Sequence, residues 1–161
     1  MGFSFDKHGH LLPYSIIKIK LDQFKDTFVN SFPHSHSRSR LFDNYQHFIS
    51  DFQQQITSNF TQWIDGSFVT QKQNPRDIDF LTFIDHTIYE EKEISIDNHF
   101  RLAGARKKYG VDAYTIRAYP KTHKKNMLFE SDMVYWHNLF GQTKKNRSKK
   151  KFRKGVVELV F

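Results

Sequence analysis

Cysteine is absent from the 161-residue chain, which excludes a disulfide framework, a zinc–thiolate centre and a cysteine nucleophile. No window reaches the ~18 apolar residues that a membrane-crossing helix needs. The opening "MGFSFDKHGHLLPYSIIKIK" lacks the long apolar core of an export signal. The expectation is a cytoplasmic protein without a membrane partner. "MGFSFD" matches a myristoylation signal only in part, because residue 6 is neither Ser nor Thr. Gly-x-Ser-x-Gly, Gly-x-x-x-x-Gly-Lys and Gly-x-Gly-x-x-Gly are missing too, which argues against a serine-hydrolase elbow, a P-loop and a dinucleotide fold. No internal repeat is visible.

What the chain does have is apolar surface and positive charge. A hydrophobic content of 38% with 17 phenylalanines supports a globular core. The length fits one domain over 1–161, with a helical lead over about 1–57. Twenty-five Lys and Arg against 17 Asp and Glu leave a net charge of +8, which favours phosphate-bearing partners, nucleotides or nucleic acid. Eight cations fall in the loop 144–154: Lys144, Lys145, Arg147, Lys149, Lys150, Lys151, Arg153 and Lys154. Such a run is either a solvated loop or an electrostatic clamp on RNA or DNA. Phe152 supplies it with a single ring for stacking.

Periodicity sketches the elements. "SIIKIKL" reads as a first strand, and Asp22 is placed to cap a short helix over "QFKDTFV". In "RLFDNYQHFISDFQQQI" the apolar residues Leu41, Phe42, Tyr45, Phe48, Ile49, Phe52 and Ile56 follow helical spacing, with Ser37 or Ser39 as cap. "NFTQWIDGS" and "DIDFLTFID" read as strands joined by a loop. "IDNHFRLAGARKKYG" reads as a helix stopped at Gly110, and "VDAYTIRAYP" as a strand halted by Pro120. A last helix over "MLFESDMVYWHNLFG" turns Met133, Trp136, Leu139 and Phe140 inward, and "VVELVF" closes as a strand. The fold class is α+β, a mixed β-sheet with flanking helices.

The chemistry centres on "WIDGSFVTQKQNPRDIDFLTFID". Side chains two apart on a strand share a face, so Asp77 and Asp79 set like charges about 7 Å apart at the backbone. Both are either solvated at a strand entrance or ligands of a hard divalent cation, which removes their repulsion. Before them, Gly66 allows close backbone approach, and Ser67 offers a hydroxyl and an N–H to a phosphate. His8-x-His10 and His34-x-His36 lack further ligands and are weak metal candidates. Tyr114, Trp63 and Trp136 are able to stack a base, although aromatics in apolar segments usually build the core.

An apolar strand, Gly66-Ser67, a spacer over 68–76 and Asp77-Ile78-Asp79 inside a second apolar strand together resemble the signature of the nucleotidyltransferase superfamily of the DNA polymerase β kind. "HLLPYSIIKIKLDQFKDTFV", "WIDGSFVTQKQNPRDID" and "YWHNLFGQTKKNRSKKKFRKGVVELVF" extend the likeness to a family of short bacterial proteins related to minimal nucleotidyltransferases. The departures are Leu-Leu-Pro-Tyr at the lead and an enlarged basic insertion before Gly155. The resemblance implies a nucleotidyltransferase-like fold and transfer of a nucleoside monophosphate from an NTP to a hydroxyl. It implies two Mg²⁺ or Mn²⁺ ions held by Asp77, Asp79 and a third carboxylate. Asp112 is the first candidate for that third acid, with Asp65 and Asp85 as rivals. Ser67 and the Gly66–Ser67 backbone would orient the triphosphate, while Lys72 or Arg76 would offset charge on the leaving pyrophosphate. The acceptor would be a tRNA or other RNA end, or a side chain of a cognate toxin or antitoxin protein. The alternative is a non-catalytic module that keeps the fold and binds nucleic acid or protein through its basic face.

Overall fold

The computed structural model describes residues 3–161; Gly2 of the partial myristoylation signal lies outside them. A short hairpin, β1 (Ser4–Phe5) and β2 (Leu11–Leu12), precedes β3 (Ile16–Ile19). Helix α1 (Leu21–Lys25) runs on into a π-helical turn, Asp26–Asn30, and a loop over 31–37 leads to α2 (Arg38–Gln55). Then come β4 (Thr61–Asp65), a 3-10 turn at Ser67–Val69, and β5 (Asp79–Asp85). Helices α3 (His86–Ser95) and α4 (Leu102–Tyr109) lead to β6 (Asp112–Ala118), and α5 (Asn126–Phe140) leads to β7 (Val156–Val160). Five strands form one mixed sheet in the order β3-β7-β4-β5-β6, with β3–β7 and β5–β6 parallel and β4 antiparallel to both neighbours. The molecule is therefore α+β. Among the described residues no helix is long and apolar enough to cross a membrane.

Strand alternation divides the core into two layers. Ile64, Phe80, Ile84, Ala113 and Val157 face α2, whose buried stripe is Leu41, Phe42, Tyr45, Phe48, Ile49 and Phe52. Each such phenylalanine contributes roughly 1.5–3 kcal/mol when withdrawn from water. On the opposite face Trp63, Leu81 and Phe83 meet Phe140 and the partly buried Phe129, Met133 and Trp136 of α5. Leu139, which helical spacing turns inward, is instead 48% exposed. The spacing gives a face only to within a turn, and Trp136 and Phe140 already fill the seam against the sheet.

Several local expectations are corrected. The lead is not wholly helical, because its first nineteen residues hold the hairpin and the edge strand β3. Asp22 sits inside the first turn of α1, where Gln23 reaches back to accept the Lys20 N–H at 3.0 Å. Ser37, not Ser39, holds the N-cap position of α2, but its hydroxyl makes no capping hydrogen bond; the Ser35 hydroxyl instead accepts the N–H groups of Ser37 and Arg38 at 3.3 and 3.1 Å. The segment read as one helix over 96–110 is a π-helical turn, Ile96–Phe100, an extended Arg101 and then α4. That break lets Ile96 and Phe100 both reach the core, with Phe100 stacked on Tyr109 at 5.8 Å. Gly110 does end α4, at φ +68°.

Arg38 is fully buried, and no carboxylate among the described residues pairs with it. Its guanidinium donates to the carbonyls of Phe28 (2.7 Å), Phe68 (2.6 Å), Thr70 (2.8 Å) and Lys72 (2.6 Å), and stacks on Phe32 at 3.8 Å. Burial lowers its pKa to about 10, so it stays charged at neutral pH. Three of those carbonyls belong to the loop that follows Gly66-Ser67, so one side chain fixes its path. From outside, the Gln71 N–H donates to the Gly9 carbonyl of the hairpin at 2.9 Å, and the His36 N–H donates to Asn74 Oδ1 at 2.8 Å. Arg38→Met strands several carbonyls, each worth about 1–3 kcal/mol when unsatisfied. Denaturant titration should show a loss of about 3 kcal/mol or more, with faster amide exchange at Thr70 and Lys72. Wild-type stability and exchange in the variant would show that the loop is held by other means.

Candidate functional site

Register sets the acids side by side. Asp65, the last residue of β4, lies opposite Asp79, the first of β5, and Asp79 lies opposite Asp112, the first of β6. The three share the sheet face that carries Trp63, Leu81 and Tyr114 one row further in, so their backbones stand at adjacent-strand spacing, about 4.8 Å. Asp77 precedes this row. It falls just outside the strand, because β4 ends opposite Asp79 and Gly66 turns the chain away, leaving Asp77 without a β4 partner.

Gly66 is dictated by this crowding. Its φ of +80° is one that glycine accepts, and a Cβ built there would overlap the Asp79 carboxylate. Burial pushes the Asp79 carboxyl up to about 7, and Asp77, Asp112 and Asp65 push in the same direction while Lys144 opposes. Burial also raises Asp65, against the pull of Lys154. Lys154 Nζ lies 2.7 Å from Asp65 Oδ1, and both residues are buried. Arg106 takes Asp112: Nε donates to Oδ1 at 2.7 Å, and Nη2 donates to the same oxygen.

The acids open into a cavity of about 1360 Å³. Gly66, Ser67 and Lys72 form one wall, and Tyr114, Tyr135, Trp136 and Leu139 form an aromatic and apolar one. Lys7, Lys144, Lys145 and Lys151 give it a basic rim. Arg76 is exposed and does not line it.

The basic loop therefore divides. Lys144, Lys145, Lys151 and Lys154 line the cavity, whereas Arg147, Lys149 and Lys150 sit on an exposed turn closed by Asn146, whose Oδ1 accepts the Lys150 N–H at 2.9 Å. Lys154, expected among the cations offered to nucleic acid, is committed to Asp65 inside the protein. Arg153 is exposed and lies over the Tyr14 ring at 5.4 Å. Phe152 packs on His8 and His10, with ring centroids 4.6 and 5.8 Å away, so its ring is engaged with the hairpin.

The remaining candidates disperse. Asp85 lies at the far end of β5 and caps α3, accepting the Thr87 N–H at 2.8 Å. Trp63 is buried and donates from Nε1 to Glu158 at 3.0 Å, so it offers no open face to a base. His34 and His36 are exposed in the loop before α2. Among the described residues no group of three or more His, Asp or Glu stands as a preformed metal centre. A hard cation such as Mg²⁺ does not require one, since it commonly takes one or two carboxylates and completes its shell with phosphate oxygens and water. An all-oxygen donor set crowded enough to hold a proton near neutrality fits such an ion.

Fold and site together define an α+β protein with a row of aspartates beneath a basic-rimmed cavity. The chain belongs to the DUF6932 family, a family of unknown function, whose match spans residues 3–160. No curated protein and no solved structure matches it.

Because burial and the neighbouring carboxylates push the folded-state Asp79 carboxyl from its ordinary 3.8 up to about 7, the folded state holds more protons between those values, and stability falls as pH rises through them. In chelator, Asp79→Asn should melt higher than wild type at pH 8, with the gain shrinking toward pH 4. A gain that does not depend on pH would contradict the crowding.

Proposed function

We propose that this protein is a Mg²⁺-dependent nucleotidyltransferase with a nucleotidyltransferase-like fold, moving a nucleoside monophosphate from an NTP to a hydroxyl acceptor. The observation that carries the reading is the alignment of Asp79 and Asp112 on neighbouring strands, with Asp77 at the entrance and Gly66-Ser67 directly beside Asp79. Asp77 and Asp79 would hold one ion and Asp79 and Asp112 a second. When bound, the two ions neutralise phosphate oxygens and lower the pKa of the acceptor hydroxyl. Ser67 offers its hydroxyl and backbone N–H to the phosphates from a loop whose path Arg38 fixes. Lys72 stands on the same wall to face the leaving pyrophosphate. Asp65 is not a metal ligand in this reading, because Lys154 already neutralises it. The in-line attack breaks the bond between the α-phosphorus and its bridging oxygen as the acceptor oxygen bonds to phosphorus.

The volume supports a large acceptor beside the nucleotide, since about 1360 Å³ exceeds the ~300–1,000 Å³ of ordinary small-molecule pockets. The basic rim favours an RNA end, such as that of tRNA, over a side chain of a toxin or antitoxin partner.

Incubation with each labelled NTP, Mg²⁺ and either total tRNA or cell lysate tests this. Label should pass to RNA and fall to background in Asp77→Ala and Asp79→Ala. Label on protein alone would reject the RNA acceptor, and transfer surviving both substitutions would reject the catalytic assignment. Salt-sensitive RNA binding without transfer, indifferent to Mg²⁺ and to Asp77→Ala and weakened by neutralising Lys149–Lys151, would identify a non-catalytic binding module instead.

A further inference from the structure

Arg106 stands in α4 and reaches to the first residue of β6, placing two N–H groups on one oxygen of Asp112. Its side chain is 70% exposed, whereas that of Asp112 is 16% exposed. An ion pair with one partner so exposed is screened by solvent and held weakly, so it opens at little cost. Arg106 also lines the cavity that holds Ser67 and Lys72. Its charge is permanent, and its planar fork matches a phosphate as well as a carboxylate.

Two demands on Asp112 conflict. A divalent ion beside Asp79 needs the Asp112 carboxylate and repels a guanidinium seated on it. The residue that must then leave carries the donors that a triphosphate wants.

We infer that Arg106 is a two-position residue: in the free protein it stands in for a cation on Asp112, and with the ion bound it swings into the cavity to bind the nucleotide's phosphate chain. This rests on the nucleotidyltransferase reading of the cavity. It gives the site an order of events, in which the ion displaces Arg106 and Arg106 then closes on phosphate. The free protein thereby avoids an uncompensated third carboxylate.

The test measures binding and needs no turnover. Mn²⁺ is titrated into the full chain and followed by the paramagnetic resonance of the free ion, and tripolyphosphate is titrated in the presence of Mg²⁺. Removing the competing charge in Arg106→Gln should tighten Mn²⁺ binding about threefold or more. The same change should weaken tripolyphosphate binding about tenfold or more, as expected for losing one charge-assisted contact. Arg106→Lys keeps the charge without the fork and should fall between wild type and Arg106→Gln on both scales. An arginine that only competes with the ion would tighten Mn²⁺ and leave tripolyphosphate unchanged, one coupled to neither would move neither quantity, and loosened packing of α4 would weaken both; any of these results overturns the proposal. Wild-type protein that binds neither Mn²⁺ nor tripolyphosphate would remove the reading underneath it. Wild-type protein that binds both, with Arg106→Gln indistinguishable from it, would remove Arg106 alone.

Discussion

Three carboxylates abreast on neighbouring strands are the constraint around which the rest of the structure is arranged. Asp65, Asp79 and Asp112 occupy one row at one end of the sheet, and strand spacing gives them no freedom to separate. Each is accommodated differently. Asp65 has a buried lysine brought from the far end of the chain, Asp112 has an exposed arginine, and Asp79 is left between them with its carboxyl pushed up to about 7. Gly66 follows from the same geometry, because any larger residue would collide with Asp79. A fold optimised only for stability would place apolar residues here, and Asp79 is the member of the row left without a cationic partner, which makes the row a candidate functional site.

The second organising element is the grip on the loop after Gly66-Ser67. Arg38 binds three of its carbonyls from inside, and the hairpin and the loop before α2 hold it from outside. A segment with almost no regular hydrogen bonding is thereby fixed beside the acidic row. In the proposed reaction, fixed donors beside fixed acceptors would stabilise moving charge without reorganisation. The aromatic wall of α5 and the basic rim complete a cavity that is charged and apolar in separate sectors, as the proposed nucleotide would require.

Much of this is legible in the chain itself. The α2 stripe is strongly periodic, the apolar strands around Trp63 and Phe80 stand out, and the spacing of Gly66, Ser67, Asp77 and Asp79 marks the site. Asp112 is reachable from the sequence because it opens a strand after a helix, and that strand does lie beside β5. What stays hidden depends on distant parts meeting. Lys154 looks like any other cation of its run, and nothing local shows that it alone turns inward to Asp65. Arg38 resembles an exposed helix-start arginine until the carbonyls it binds are assembled from two distant segments. Helix α3 is inconspicuous because Tyr89 is its one fully buried residue, so its apolar period is faint. The break at Arg101 is equally silent, since tertiary packing of Phe100, and no helix-breaking residue, interrupts the pattern.

Whether the aspartates form a cation site is tested most directly by anomalous scattering from crystals grown with Mn²⁺ and a non-hydrolysable NTP. Mn²⁺ peaks are expected among Asp77, Asp79 and Asp112, with the triphosphate beside Ser67 and Asp65 still bound to Lys154. Nucleotide bound elsewhere, or density at Ser67 with no metal peak on Asp79, would contradict that assignment.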